Sequence, residues 1–277
     1  MQTQLSYLVC ATPRSGSTFF CESMSATMIA GKPKEYFEQL QETGLPRQPH
    51  EYFETFVAQR KGQDIALVLG PKSRYIDEEW LTRFHGAGYA AYIDKVLAEG
   101  TTANGVFGAK IMWNYFDDFI HHLRHVPIYC HASDVYELLN EVFPRLHYIW
   151  VKRQDTAKQA ISLWKAIQTQ RWRHDTTLYS PGHAPTPGEP LFHRAAIAHL
   201  EQQLIAEEQA WQTFFQEKGI EPLVIVYEQF ISSYEKTIRD ALQYLGLSLP
   251  ENSVPAKPPM KRQTDTLSEE WLRRYQL

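Results

Sequence analysis

Short apolar runs alternate with amphipathic segments along most of the chain, and this alternation sets the expected fold. Residues 7–12 (YLVCAT) form an apolar run closed by Pro13 and Gly16, which reads as a buried strand entering a loop, with a helix from Ser17 to Met28. Residues 89–98 (YAAYIDKVLA) carry helical spacing and stop at Gly100, and residues 105–112 (GVFGAKIM) follow as a strand. A second such unit runs from a helix over 133–143 into a strand at 147–151 (HYIWV). Asp155 then stands as the N-cap of a helix passing through Ala160, Leu163, Trp164 and Ile167 towards Arg173. Residues 194–215 predict a long amphipathic helix, 223–227 (LVIVY) another buried strand, and 232–245 a helix stopped at Gly246. Strands alternating with helices imply an α/β fold whose central sheet is largely parallel and flanked by helices.

The pattern breaks in three places. Residues 31–49 mix prolines, charges and aromatics without sustained periodicity and predict a loop with a helical turn or two. Residues 174–190 (HDTTLYSPGHAPTPGEP) predict an irregular excursion, either a lid or a surface insertion, and residues 250–259 form a proline-rich bridge to the tail at 260–277. No internal repeat or low-complexity tract interrupts the chain. With 277 residues, 43% of them hydrophobic, a single domain over 1–277 is expected, with insertions near 31–50 and 174–190.

Composition narrows the partners. A net charge of −4 and a pI near 6.3 argue against a nucleic-acid surface, which needs a basic stripe. Any anionic ligand must be held by local basic groups. Cys10, Cys21 and Cys130 lack the paired spacings of zinc sites or redox dithiols, and a reduced, cytoplasmic setting is expected. A basic region followed by an apolar run is absent from the N-terminus, as is any stretch of about 18 uncharged apolar residues, so neither secretion nor a membrane span is expected. His121 and His125 are spaced i, i+4 with His122 beside them, but without a third ligand they predict no metal site.

The candidate chemistry starts at residues 11–18 (ATPRSGST). A Walker loop needs a glycine, four residues, then Gly-Lys-Ser/Thr, so that backbone N–H groups cradle phosphates while the lysine neutralises them. Here Ala11 replaces the first glycine, Gly16 fits the second, Ser17 occupies the lysine position and Thr18 keeps the final hydroxyl. Arg14 supplies a cation from within the loop instead. Ser15, Gly16, Ser17 and Thr18 would open a helix whose positive end favours an anion, although a tight turn with an N-cap accounts for the same residues. The alternatives are an ATP-dependent P-loop small-molecule kinase, supported by the strand-loop-helix pattern but opposed by Ser17 in the lysine position, and a non-catalytic nucleotide-binding protein. Lys110 lies near the end of an apolar strand, where core packing alone does not accommodate a cation, and is a second candidate for a reacting anion.

The loop resembles the nucleotide-binding loop of PAPS-dependent sulfotransferases, with Arg14 where those enzymes usually carry lysine. Residues 147–166 (HYIWVKRQDTAKQAISLWKA) resemble the family's second signature, a strand ending in arginine with a serine later on the following helix. GKPKEYF at Gly31, NGVFGAKIMWN at Asn104, QAISLWKAIQTQRW at Gln159 and MKRQTD at Met260 extend the resemblance to the bacterial trehalose 2-sulfotransferase family over nearly the whole chain.

That resemblance implies the sulfotransferase fold, PAPS as sulfuryl donor with adenosine 3',5'-diphosphate (PAP) as product, no metal, and a carbohydrate or glycolipid-precursor acceptor. It assigns Glu35 as the general base and Arg153 with Ser162 as holders of the donor's 3'-phosphate. Arg262 and Gln263 become a late donor-contacting segment that closes over the nucleotide, and a homodimer is admitted because family members dimerise. The Arg153-to-Ser162 spacing is one residue longer than in the common eukaryotic cytosolic enzymes. Physically, a strand-end arginine offers a bidentate fork and Arg14 can face the oxygen on which charge grows as the sulfuryl group leaves. Trp113 and Trp172 offer flat faces to a sugar, Trp164 is expected in the core, and Tyr227 with Glu228 are expected to be architectural.

Overall fold

The computed structural model describes residues 2–58, 65, 68–69, 75–172, 189–249 and 266–277. Most of the 174–190 excursion, the 250–259 bridge, Arg262 and Gln263 lie outside the described residues. The chain divides into two compact units, one of Met1–Pro46, Asp77–Gln154 and Glu207–Pro258, the other of Arg47–Ile76, Asp155–Ala206 and Pro259–Leu277.

The first unit is built on four parallel strands: β1 (Leu5–Ala11), β2 (Val106–Met112), β3 (Leu146–Lys152) and β4 (Leu223–Val226), in the order β2-β1-β3-β4. The α/β fold with a parallel central sheet flanked by helices is therefore what the chain forms. All seven residues of β1 and of β2 are buried, as expected for strands covered on both faces. The period-two alternation of β1 sends Leu8 and Cys10 to a core shared with Phe107, Ile111 and Trp150, while Tyr7 and Val9 join Val106, Ile149 and Val151 on the other face.

Register aligns the strand ends. Ala11 pairs with Met112 on one side and Val151 on the other, and Lys152 pairs with Val226. The carboxyl edge of the sheet thus presents the loop after β1, Trp113 after β2, Arg153 after β3 and Tyr227 after β4. In open parallel sheets this edge is where ligands bind.

Several boundaries differ from the expected ones. Tyr227, expected as the last strand residue, starts the helix Tyr227–Ser232, and the helix expected over 232–245 spans Tyr234–Tyr244. The region after β2 holds a helix over Phe116–Arg124 that the apolar pattern did not separate from its histidines. Residues 31–48 are mostly irregular, with one parallel bridge between Lys34 and Ala109, and the helical turn expected here falls at Pro49–Phe53.

The second unit packs the helices Thr156–Thr169, Thr266–Gln276 and the first part of Arg194–Glu217 around Trp164, Leu200, Leu204 and Trp271. Asp155 caps the first of these, its carboxylate accepting from Lys158 N–H at 2.9 Å. That helix stops at Thr169, four residues before Arg173, because Gln170 adopts a left-handed conformation and its side chain donates to the Ile167 carbonyl at 2.7 Å. Trp164 is fully buried and donates to the Leu191 carbonyl at 2.8 Å, a core residue as its pattern predicts. Among the described residues no helix is long and apolar enough to cross a membrane.

Candidate active site

β1 ends at Ala11 and residues 12–16 turn the chain into the helix Ser17–Ala26. The turn is tight: Ser15 N–H donates to the Thr12 carbonyl at 3.3 Å, and Arg14 and Gly16 have φ of 63° and 90°. A left-handed conformation costs a non-glycine residue roughly 1–2 kcal/mol, so the loop holds Arg14 against its own preference. Gly16 caps the helix without a side-chain oxygen, which leaves the first-turn N–H groups to be matched by another acceptor. Ser15 is fully buried and its hydroxyl has no hydrogen-bond partner among the described residues. Such an orphan costs about 1–3 kcal/mol, and an anion oxygen in the loop is a chemically suitable partner. Donors unmatched among the described residues, the positive end of a helix and Arg14 together fit a phosphate group.

Arg153 reaches the same loop from the end of β3. Its Nη1 donates to the Arg14 carbonyl at 3.4 Å, and its guanidinium lies over the Tyr227 ring, 5.1 Å from the centroid. Glu228 Oε1 stands 3.5 Å from Arg153 Nε, an ion-pair distance without hydrogen-bond geometry, so that buried Nε–H is unmatched among the described residues. The second Glu228 oxygen accepts from Gln154 N–H at 3.1 Å. Tyr227 and Glu228 therefore fix Arg153, and Tyr227 also packs on Gly16, where an added Cβ would lie 2.2 Å from Cδ2 of its ring.

On the other side of β1 lies an ion pair between a buried lysine and a half-buried glutamate. Lys110 is 4% exposed, and its ammonium sits 2.7 Å from Glu35 Oε2 and donates to Thr18 Oγ1 at 3.1 Å. Its position on β2 is opposite Val9, two residues before the end of the strand, which aims it towards the first turn of the helix after the loop. Glu35 arrives there because residues 31–35 run alongside β2, with Lys110 N–H donating to the Lys34 carbonyl at 2.9 Å. Gly31 permits this approach: its φ is 69°, and a Cβ would lie 2.7 Å from the Gly108 backbone nitrogen.

Burial alone would lower the Lys110 pKa, but the facing Glu35 carboxylate carries it above its ordinary value, so the ammonium stays charged. Tyr115, also buried, donates its hydroxyl to Glu35 Oε1 at 3.2 Å and lies 3.3 Å from the Lys110 carbonyl. Burial first, and then the Glu35 carboxylate, push the Tyr115 pKa well above its ordinary value and keep the phenol protonated as a donor. Tyr115 was not among the residues anticipated; the signal for it is its place in the turn that follows the lysine-bearing strand.

Arg14, Ser15, Gly16, Ser17, Thr18, Glu35, Lys110 and Arg153 are thus linked in one unit by the contacts above. Ser162, half-buried on the helix Thr156–Thr169, and Trp172, stacked on Tyr52 with centroids 6.3 Å apart, belong to the second unit. Trp113 is half-buried and meets Trp211 edge-on at 4.9 Å, while Trp211 donates its indole N–H to the Ala11 carbonyl at 2.9 Å. One turn before Trp211, Glu208 stands 3.6 Å from Lys152, whose ammonium lies 4.3 Å from the centroid of Trp150. Burial outweighs Lys152 here and raises the Glu208 pKa to about 7. His121, His122 and His125 gather with His85 beside Trp80, and among the described residues no group of three or more His, Cys, Asp or Glu is arranged to hold a metal ion.

Comparison with known proteins finds relatives over nearly the whole chain. The chain is 31% identical over 269 residues to the trehalose 2-sulfotransferase of Mycolicibacterium smegmatis, covering 97% of this chain and 93% of that one. It is 32% identical over 272 residues to the trehalose 2-sulfotransferase of Mycobacterium tuberculosis, with the same coverage. Among solved structures, the sulfotransferase domain from the curacin biosynthetic pathway aligns with a TM-score of 0.46 at 13% identity, over 91% of this chain and 77% of that one. The family described as Stf0 sulphotransferase matches residues 6–277, a span that takes in both compact units, and the chain belongs to that family.

Proposed function

We propose that this sulfotransferase moves a sulfuryl group from PAPS to a carbohydrate hydroxyl, with trehalose the first acceptor to test because two relatives carry that substrate in their names. The observation that carries the reading is the buried Lys110, which touches both the Thr18 hydroxyl of the anion loop and the Glu35 carboxylate. A phosphate cradle and a proton acceptor are thereby held by one side chain.

PAPS supplies an activated sulfuryl group on its 5'-phosphate. Ser15, Gly16, Ser17 and Thr18 bind that phosphate through the loop and first helical turn, and Arg14 faces the bridging oxygen as its charge grows. Arg153 holds the 3'-phosphate, with Ser162, Arg262 and Gln263 assigned to the same donor by the resemblance. Trp113 and Trp172 are assigned to the sugar. Glu35 takes the acceptor hydroxyl's proton as that oxygen attacks sulfur, since a sugar hydroxyl becomes acidic enough to give it up only as the new bond forms. One sulfur–oxygen bond forms as the other breaks, giving a sulfate ester and PAP. No step calls on a metal. Cytoplasmic placement is supported by the free thiols of Cys10, Cys21 and Cys130, and a homodimer by the resemblance alone.

Incubation with sulfur-labelled PAPS and a saccharide panel headed by trehalose, read by mass spectrometry, tests the proposal. A labelled sugar sulfate that disappears in Arg14→Ala and Glu35→Gln is the expected result. Undiminished transfer by both variants would overturn these roles.

A further inference from the structure

The two oxygens of Glu35 are not equivalent. Oε2 faces the Lys110 ammonium at 2.7 Å, a short charge-assisted contact, whereas Oε1 is met by the neutral Tyr115 hydroxyl at 3.2 Å. Lys110 is anchored further by Thr18 at 3.1 Å and is almost completely buried, which fixes its ammonium on Oε2. Tyr115 is held differently. Its single hydroxyl proton has two acceptors within reach, Glu35 Oε1 and the Lys110 carbonyl at 3.3 Å, and it can serve one of them at a time.

We infer that Tyr115 is a positioning residue for the base: with Lys110 occupying Oε2, it aims Oε1 as the oxygen that accepts the acceptor's proton. Before transfer the phenol donates to Oε1 and keeps the carboxylate plane fixed. As Oε1 gains the proton, the phenol turns its own hydrogen to the Lys110 carbonyl and becomes free to accept from the new carboxyl O–H. No proton is gained or lost by Tyr115 in this exchange; only its donor direction changes. The arrangement rests on Glu35 being the base, and it adds which oxygen acts and what steers it.

The test reads Glu35 directly and needs no acceptor. In protein labelled with carbon-13 at the glutamate side-chain carboxyl, the Glu35 resonance is assigned by its loss in Glu35→Gln and titrated in the wild type, in Tyr115→Phe and in Lys110→Met. Loss of a neutral donor to a carboxylate disfavours the ionised form, so the Glu35 midpoint should rise by roughly half a pH unit to one in Tyr115→Phe. It should rise further in Lys110→Met, where a charged donor is lost. An unmoved midpoint in Tyr115→Phe, or an equal shift in the two variants, would overturn the inference. Failure of the underlying reading shows elsewhere: Glu35→Gln would then still transfer labelled sulfate, whatever the titration gives.

Discussion

Replacing Gly16 with alanine tests the packing that joins the loop after β1 to β3 and β4. The residue sits at the helix N-cap with φ 90° and ψ 4°, a region that costs an L-residue about 1–2 kcal/mol. The added methyl would lie 2.2 Å from Cδ2, 2.9 Å from Cε2 and 3.1 Å from Cγ of Tyr227, whereas carbon atoms prefer separations of about 3.5–4.0 Å. The ring cannot retreat freely, because the Arg153 guanidinium lies 5.1 Å from its centroid and Glu228 holds that arginine in place. Overpacking of this kind costs about 1–3 kcal/mol, so the variant should lose roughly 2–5 kcal/mol in all. Urea unfolding with an unchanged slope measures the loss. Adding Tyr227→Ala removes the ring and separates the two terms. The double variant should then be more stable than the sum of the single changes by at least about 1 kcal/mol, leaving the backbone cost alone. A Gly16→Ala protein within about 0.5 kcal/mol of wild type, or strict additivity in the double variant, would refute the assigned contact.

Other expectations follow from groups away from the loop. Burial holds the His122 pKa at about 4, below its ordinary 6.5, so the stability that comes with a neutral ring is complete above pH 6.5 and is lost as pH falls towards 4. His122→Phe should flatten that acid limb in thermal melts, by about 2 kcal/mol at pH 4 after allowance for solvent screening. Glu208 has the opposite sign: its pKa is raised from 4.5 to about 7, so it costs stability as pH rises through that window. Glu208→Gln should therefore gain about 1–2 kcal/mol at pH 8 and nothing at pH 4, and a pH-independent difference would contradict this. Trp211→Phe removes the donor to the Ala11 carbonyl and should destabilise by roughly 1–3 kcal/mol in urea, with an unchanged midpoint counting against that bond.

The sheet was legible because its first two strands are buried on both faces and read as apolar runs such as LSYLVCA in β1. Helices with mixed faces were harder to see. Phe116, Phe119, Ile120 and Leu123 lie at helical spacing, yet the aspartates and histidines between them attract attention to themselves, and the helix Phe116–Arg124 escapes. The tail helix Thr266–Gln276 buries Trp271 alone among residues otherwise half or fully exposed, so its period is nearly silent. At the candidate site, Lys110 stands out as a charge within an apolar strand, and the carboxylate it holds is 75 positions earlier in the chain. Tyr115 had no such contrast: among Trp113, Phe116 and Phe119 a tyrosine looks like one more core aromatic, and only tertiary contact with Glu35 distinguishes it. The interruption of the helix at Gln170 depends on a polar residue taking a conformation usually left to glycine, which residue preference does not announce.

The segment that carries Glu35 has a second duty. β2 is an outermost strand of the sheet, and the bridge from Lys34 to Ala109, with the Lys110 N–H bound to the Lys34 carbonyl, shields part of its open side. An apolar strand with bare backbone donors and acceptors invites pairing with another chain. Substitutions that loosen residues 31–35, a bulky side chain at Gly31 above all, should therefore show themselves as self-association as well as lost turnover. Solubility would then constrain this segment independently of its proposed chemistry, and selection on either property would preserve the other.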